Sequence, residues 1–507
     1  MSTQKEFGDF QTPHNLAARV VSIVAKLFKG PDFVVEPTAG VGSFLQAAAN
    51  QWNGTATYEG YEINKKYVDI ACHKLADFDI TVHHRDFFTE DWTANLSKSR
   101  GQKVLVIGNP PWVTNSVLGQ LGSSNIPQKT NFQRMRGFDA KTGKSNFDIA
   151  EWMLIKLIEA LPTTGAIAML CKTSTARKVL RHFWKTDSGR DNSHLFHIDA
   201  KSEFNVSVDA CLFFTTGKKT TERLATVHPD LDLKSKKTKI GLIDGALVSN
   251  ISSYLTLKKL DGGSSLYTWR SGVKHDASKI MEFTNKDNQL INGLGEPVEI
   301  EEELVFPLLK SSDLNNNTTI SVARKSVLVP QQYTGDDTSV IRTRAPKTWD
   351  YLMRHSDVLD ARKSSIYKNR PRFSIFGVGS YSFAPWKIAI SGLYKKISFT
   401  VVSPIKGKPV MVDDTCYSIP CQSGEEAKLL IILLSSISAT KFLSSLMFSD
   451  SKRPVTVDVL SRLSFVELAR EQGKLDELKK LTFTKPLSNK MEMQLPLVFE
   501  SKGKYQP

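Results

Sequence analysis

The sequence is poor in cysteine and contains no long hydrophobic run. Its five cysteines among 507 residues, Cys72, Cys171, Cys211, Cys416 and Cys421, form neither an even disulfide framework nor a paired CxxC zinc motif. Cys416 and Cys421 stand inside an apolar stretch and read as core thiols. No stretch of about 18 uninterrupted apolar residues is present, which excludes an obvious transmembrane helix. The opening MSTQKEFGDFQTPHN is too polar for a signal peptide, so a cytoplasmic location without membrane association is expected. There is no internal repeat of fixed period. The separated carboxylates that a Mg²⁺-dependent nuclease needs are also missing, since PDLDLK at Pro229 to Lys234 and ELK at Glu477 to Lys479 have no convincing partner. No metal site is expected.

What is abundant is positive charge, +15 overall with a pI near 9.3, a field that draws in polyanions and makes nucleic acid the leading candidate partner. A chain of this length exceeds one ordinary core, so two domains are expected. From about residue 15 to 215, helix-like stretches such as LAARVVSIVAKLF and YVDIACHKL alternate with short apolar runs such as FVVEP and VLVIGNP. That rhythm implies βαβ units and an α/β, doubly wound, mostly parallel sheet, with ligands beyond the carboxyl ends of the strands. Val113 to Ser145 interrupts it with a polar loop expected to order on substrate binding. Residues 217 to 240, rich in lysine and threonine, read as a linker or long surface loop, which places a boundary near 240 and divides the chain into 1–240 and 241–507. Beyond it come short β-rich runs and the helical stretch AKLLIILLSSISATKFLSSL, the pattern of an α+β domain.

The chemistry-bearing residues follow the apolar runs. FVVEPTAGVGSFLQAAA ends a strand at Glu36 and opens a helix after Gly42, with glycines that let backbone approach a ligand and a helix N-terminus that offers free N–H groups. About one βαβ unit downstream, TYEGYEINKKYV places Glu62 at a second strand end, where a carboxylate can accept both hydroxyls of a ribose. TVHHRDFFTEDW then sets Asp86 beside Phe87, an acceptor and a ring suited to an adenine. In VLVIGNPPWVTNS a strand leads straight into Asn109, Pro110, Pro111 and Trp112. An amine conjugated to a purine is a poor nucleophile because its lone pair is delocalised. The Asn109 side-chain oxygen and the Pro110 carbonyl can bind its two N–H bonds and favour a pyramidal nitrogen, while Trp112 offers a stacking face for a flipped base.

EPTAGVGSFL resembles the cofactor motif of class I S-adenosylmethionine-dependent methyltransferases, and NPPW resembles the (D/N)PP(Y/F/W) motif of amino methyltransferases. With QTP ahead of both and a large C-terminal region behind them, the order is similar to that of the gamma group of adenine-N6 DNA methyltransferases of bacterial restriction-modification systems. The resemblance implies that S-adenosylmethionine is the cofactor and that residues 1–240 are catalytic. Thr12 and Pro13 would lie near its methionine end, Glu36, Gly40 and Gly42 around its amino acid portion, Glu62 at the ribose, and Asp86 and Phe87 at the adenine. Phe204, in FNVSVDACLFF, would sandwich the flipped base opposite Trp112.

The second half supplies the basic surface. Ile341 to Lys396 holds 12 Lys or Arg against 3 Asp, interleaved with nine aromatics, a composition that suits phosphate neutralisation and base-edge reading. Arg362, Lys363, Lys368, Arg370, Arg372 and Lys387 are the candidates for double-stranded DNA, and residues 267 to 400 look similar to target-recognition regions of bacterial modification enzymes. A monomer, with a restriction endonuclease as a possible separate partner, is the simplest expectation. The rivals are a restriction nuclease, alone or fused, and an N-methyltransferase acting on RNA adenine or protein glutamine, whose amines satisfy the same two acceptors.

Overall fold

The computed structural model describes residues 10–97, 101–112, 148–186, 189–263, 266–287, 289–314, 319–320 and 322–483. The loop expected at Val113 to Ser145 lies outside the described residues. The chain divides after Ile251 into two compact units.

The first unit runs α1 (His14–Leu27), β1 (Phe33–Glu36), α2 (Ser43–Gln51), β2 (Thr57–Glu62), α3 (Lys65–Lys74), β3 (Ile80–His84), α4 (Trp92–Ser97) and β4 (Val104–Gly108). It continues with α5 (Ile149–Ala160), β5 (Ala166–Lys172), α6 (Thr173–Thr186), β6 (Gly189–Arg190), β7 (His194–Ile198), α7 (Ala200–Phe204) and β8 (Ala210–Thr216), then β9 (Lys219–Thr220), β10 (Leu224–His228), β11 (Thr238–Ile243) and β12 (Ala246–Val248). Ten strands form one sheet in the order β12-β11-β10-β7-β8-β5-β4-β1-β2-β3. Strands β1 to β5 pair in parallel, and β8 lies antiparallel to both β5 and β7.

The central strands read as unbroken apolar runs because both faces of the sheet are covered; all five residues of β4 are buried. Helix α1 buries Leu16, Ala17, Val20, Val21, Ile23 and Val24 on one stripe, each fully buried Leu, Val or Ile contributing about 1.5–3 kcal/mol. Side chains of Asn64 and Asp148 cap α3 and α5, satisfying amides that have no partner within the helix. After β3 the chain returns to the other side of β1 to lay down β4. That reversal opens a crevice at the carboxyl ends of β1 and β4, where sheets of this kind bind ligands.

The segment expected as a linker or long surface loop at 217–240 holds strands β9 and β10 and the start of β11, with a loop over 229–237. Strand β10 pairs in parallel with β7, and β11 pairs antiparallel with β10. Both strands have neighbours on either side but are only partly buried, and the lysines and threonines of this stretch hide their alternation. The division after Ile251 therefore falls beyond the expected 240.

The second unit contains a five-stranded and a six-stranded sheet. WKIAISGL and ISFTVVSPI supply antiparallel neighbours of the first, Trp386–Ser391 and Phe399–Val402. The apolar C-terminal stretch forms two helices, Gly424–Leu434 and Ile437–Leu446, bent by 66° at Ser435 and Ser436. No single helix among the described residues is long and apolar enough to cross a membrane. Cys416 and Cys421 are buried free thiols on one strand, and no cluster of His, Cys, Asp or Glu suited to a metal occurs among the described residues.

At the β7–β10 pair, His194 and His228 stack at 5.2 Å. His194 Nε2 lies 2.7 Å from Asn192 Oδ1, and His194 Nδ1 lies 2.9 Å from His228 Nε2. If His194 donates to Asn192, its Nδ1 accepts from His228, and His228 Nδ1 is left buried without a partner. Burial, then His228 and Lys237, push His194 down from 6.5 to about 4. The stability from this neutral pair is full above about 6.5 and is lost as pH falls toward about 4. The melting temperature should decline across that window, and a His194→Gln variant should flatten the decline; identical pH profiles for variant and wild type would rule the pair out as the cause.

Candidate active site

The loop after β1 is built by two glycines in left-handed conformation, Gly40 at φ +51° and Gly42 at φ +76°. A Cβ on Gly42 would stand 2.7 Å from Leu75 Cδ1, and one on Gly40 would stand 2.6 Å from Gln11 Oε1. The Gly40 amide donates to Glu62 Oε2 at 2.8 Å, and the Asn64 amide donates to Glu62 Oε1 at 2.8 Å. Each carboxylate oxygen has two lone pairs, so the pair of backbone bonds fixes Glu62 at the end of β2 while leaving acceptor capacity. Gln11 Oε1 accepts from the Val41 amide at 3.1 Å. Glu36 is buried and accepts from the Leu45 amide at 3.2 Å. Burial pushes its carboxyl well above the usual carboxylate range, and nearby Glu62 adds to the rise while the Leu45 amide and Lys74 oppose it.

Asp86 follows β3 and accepts from the Phe88 amide at 2.9 Å through Oδ1. Phe87 turns inward, with its ring 4.8 Å from Trp92 and its carbonyl accepting from the Trp92 indole. Phe87 therefore belongs to the core beside Asp86, and the half-buried ring next to it is Phe88.

Asn109 stands directly after β4. Its Nδ2 donates to the Phe10 carbonyl at 3.1 Å and to Thr12 Oγ1 at 3.3 Å. Those two acceptors determine which end of the amide is nitrogen. The other end, Oδ1, is buried and has no hydrogen-bond partner among the described residues, an arrangement that costs about 1–3 kcal/mol in a folded protein and calls for an explanation. Thr38 Oγ1 reaches the Asn109 carbonyl at 3.4 Å, tying the β1 loop to the β4 loop. No donor among the described residues reaches the Pro110 carbonyl. Pro13 precedes α1 and gives its carbonyl to the Ala17 amide. Thr12 thus orients Asn109, and the positions sequence reasoning missed, Phe10 and Gln11, contribute a carbonyl and a side chain to the same crevice.

Trp112 is buried, Pro110 buried and Pro111 half-buried. The Trp112 and Phe204 rings meet edge to face, 5.3 Å apart at 72°, with Phe10 5.9 Å from Trp112 and 6.2 Å from Phe204. The structure brings Trp112 and Phe204 together as expected by placement, but as rings in contact with no slot between them.

In the second unit, two expected DNA contacts are withdrawn. Lys387 is 2% exposed and donates to the Ala384 carbonyl at 2.7 Å, and burial pushes its ammonium down to about 7. Arg362 is held by the carbonyls of Leu359, His275 and Ser374 and lies 3.9 Å above the Tyr367 ring. Arg372 is exposed but paired with Asp360 at 2.6 Å. Arg370 is half-buried near Phe376, while Lys363 and Lys368 are exposed.

No protein-family model matches the chain. It is 43% identical over 472 residues, 92% of its length and 98% of the relative, to the Type II methyltransferase M.NspV of Nostoc sp.. Among solved structures it resembles the Type IIL restriction-modification enzyme MmeI in complex with DNA, with a TM-score of 0.52 and 14% identity. That match covers 89% of this chain but only 63% of MmeI, so the chain spans less than two thirds of that enzyme, and the likeness speaks for the fold alone.

The residues present fit a nucleoside-bearing cofactor: a glycine turn that a side chain would fill, and a carboxylate held at the next strand end. Glu62→Gln replaces one acceptor by a donor facing a backbone N–H. Calorimetric titration with S-adenosylmethionine should show affinity lowered by roughly tenfold, the worth of a charge-assisted hydrogen bond. Wild-type affinity in that variant would remove Glu62 from the site.

Proposed function

We propose, from the premise that this chain belongs to the type II restriction-modification methyltransferases, that it methylates the exocyclic N6 amine of a flipped adenine in double-stranded DNA. Its first unit is a class I methyltransferase fold, and its cofactor is S-adenosylmethionine. When bound, the cofactor supplies an electrophilic methyl group on sulfur. The observation that supports the reading is that, among the described residues, the buried Oδ1 of Asn109 and the carbonyl of the adjoining Pro110 have no hydrogen-bond partner at the switch point of the sheet.

Two acceptors in fixed positions can take both N–H bonds of an aromatic amine and stabilise positive charge as it grows on nitrogen. Because the Nδ2 end is already held by Phe10 and Thr12, the amide needs no reorientation when the base arrives. Glu62 and the glycine turn would hold the cofactor, with Glu36 and Asp86 flanking them. Trp112 and Phe204 would clasp the base, and unpairing it costs a few kcal/mol that stacking and phosphate contacts offset. Exposed Lys363 and Lys368, with Arg370 and Arg372, remain the candidates for phosphate contact in the second unit. A cognate endonuclease acting on the same site would complete the restriction-modification system.

Asn109→Ala should abolish methylation while leaving S-adenosylmethionine affinity near wild type. Sequencing of DNA treated with enzyme and cofactor should show modified adenine in one sequence context. Modified cytosine, or methyl incorporation into RNA or protein in place of DNA, would overturn the acceptor assignment. Replacing Lys363 and Lys368 together by alanine should lower the slope of log affinity against log salt by about two, read by fluorescence anisotropy with duplex DNA. An unchanged slope would remove both from the DNA surface.

A further inference from the structure

Pro110 and Pro111 have no backbone N–H, so the turn that carries Asn109 lacks two of the amides through which it could anchor itself. Its fixation comes from side chains of other elements. One is Thr38, at a long 3.4 Å from the Asn109 carbonyl. A second is Lys172, whose Nζ donates to the Trp112 carbonyl at 3.0 Å and to Asp148 Oδ2 at 2.7 Å.

Lys172 is placed for this by backbone. It is the last residue of β5, in register with Ala210 of β8, and the following Thr173 amide donates to the Asp209 carbonyl. The Lys172 side chain is 23% exposed and that of Asp148 only 6%. Asp148 is fixed in turn, because its Oδ1 caps α5 through the Ala150 amide at 3.1 Å. One ammonium therefore joins the end of β5, the Asn-Pro-Pro-Trp turn and the start of α5. The Trp112 indole N–H is buried without an acceptor among the described residues. Polar contact orients that residue through its main chain, at the carbonyl that Lys172 holds.

We propose that Lys172 is a positioning residue for the methyl transfer. By holding the Trp112 carbonyl it pins the main chain at Trp112, and with φ locked at both prolines this restricts the direction of the Pro110 carbonyl and the tilt of the Trp112 ring. It touches none of the reacting atoms. An ion pair serving stability alone would need only Asp148; the second bond, to the main chain of the stacking residue, links it to the reaction. This rests on the proposed function, because it takes Asn109, Pro110 and Trp112 as the groups that meet the base.

The test compares Lys172→Met, Lys172→Arg and Asp148→Asn with the wild-type full chain, with Asn109→Ala alongside. The substrate is a duplex containing the methylated site found by sequencing, and a second duplex carries 2-aminopurine at the target position. Lys172→Met should lower kcat by roughly 10- to 100-fold, the range of a charged hydrogen bond, with KM for S-adenosylmethionine near wild type. Its 2-aminopurine fluorescence on binding should differ from that of the wild type. Lys172→Arg should recover most of the rate, since a guanidinium can reach both acceptors, and Asp148→Asn, which keeps an acceptor and a cap, should lose less than Lys172→Met. Wild-type kcat and fluorescence in Lys172→Met, with Asn109→Ala inactive, would overturn the positioning role and leave the proposed function standing. A rate loss that follows the unfolded fraction in thermal melts, with no recovery in Lys172→Arg, would reduce Lys172 to a structural role. Full methylation by Asn109→Ala would instead overturn the functional reading on which the inference rests.

Discussion

The geometry of the first unit turns on one amide. Asn109 is held from its nitrogen end by a main-chain carbonyl and a hydroxyl, and its oxygen is left buried with nothing to accept from. An isolated peptide would not keep that arrangement, because water would satisfy the oxygen or the side chain would rotate. It persists here because β4 is buried along its whole length and delivers Asn109 to one place. Two successive prolines lock φ and remove the donors that a more flexible turn would fold back onto its own carbonyls. The unsatisfied oxygen is thus maintained by the stability of the sheet around it, which is how folded proteins retain locally unfavourable features at functional sites.

The strand order explains why this acceptor stands beside a ligand-binding turn. Strands β1 and β4 are neighbours in the sheet although 71 residues separate Thr38 from Asn109. The chain leaves β1 toward β2 and β3, then returns on the opposite side, so the loops after β1 and β4 diverge and leave a crevice. Thr38, Gln11 and Thr12 cross-link the walls of that crevice. Glu62 anchors the glycine turn from the third side through the Gly40 amide. Each of these contacts is long-range in sequence, and together they couple the cofactor side of the crevice to the acceptor side.

Much of this was legible before any coordinates, for a local reason. Apolar runs leading into Glu36, Glu62 and Asn109 are strands that stop at Glu36, Glu62 and Gly108, because strand ends at a covered sheet are marked by an abrupt change from apolar to polar or glycine. What escaped was non-local. Phe10, Gln11 and Lys172 act on partners 99, 30 and 60 residues away, and nothing in their immediate neighbourhood announces it. The lysine-rich stretch around Leu224–His228 read as linker because that strand, although flanked by two others, buries only two of its five residues and so carries a weak apolar signal. Lys387 and Arg362 were counted as surface charge, yet one is enclosed between strands and the other is bound to three carbonyls. Composition reports how much charge a segment carries and not which way each side chain points.

The aromatic group beside Asn109 adds a last constraint. Two rings that clasp a third need a separation of about twice the ~3.5 Å contact distance and near-parallel planes. Trp112 and Phe204 instead meet at 5.3 Å and 72°, so a base entering between them must first part them. An edge-to-face pair is worth about 0.5–1.5 kcal/mol, whereas a base stacked on an aromatic side chain gains about 1–3 kcal/mol. Stacking of the base can therefore replace the ring contact it breaks, and its unpairing cost is left to the acceptors and phosphate contacts to offset. Phe10 touches both rings and lends its carbonyl to Asn109, so displacement of the rings is sensed by the segment that orients the amide. On the proposed reading, a base that parts these rings would meet an acceptor already held in place by Phe10 and Thr12.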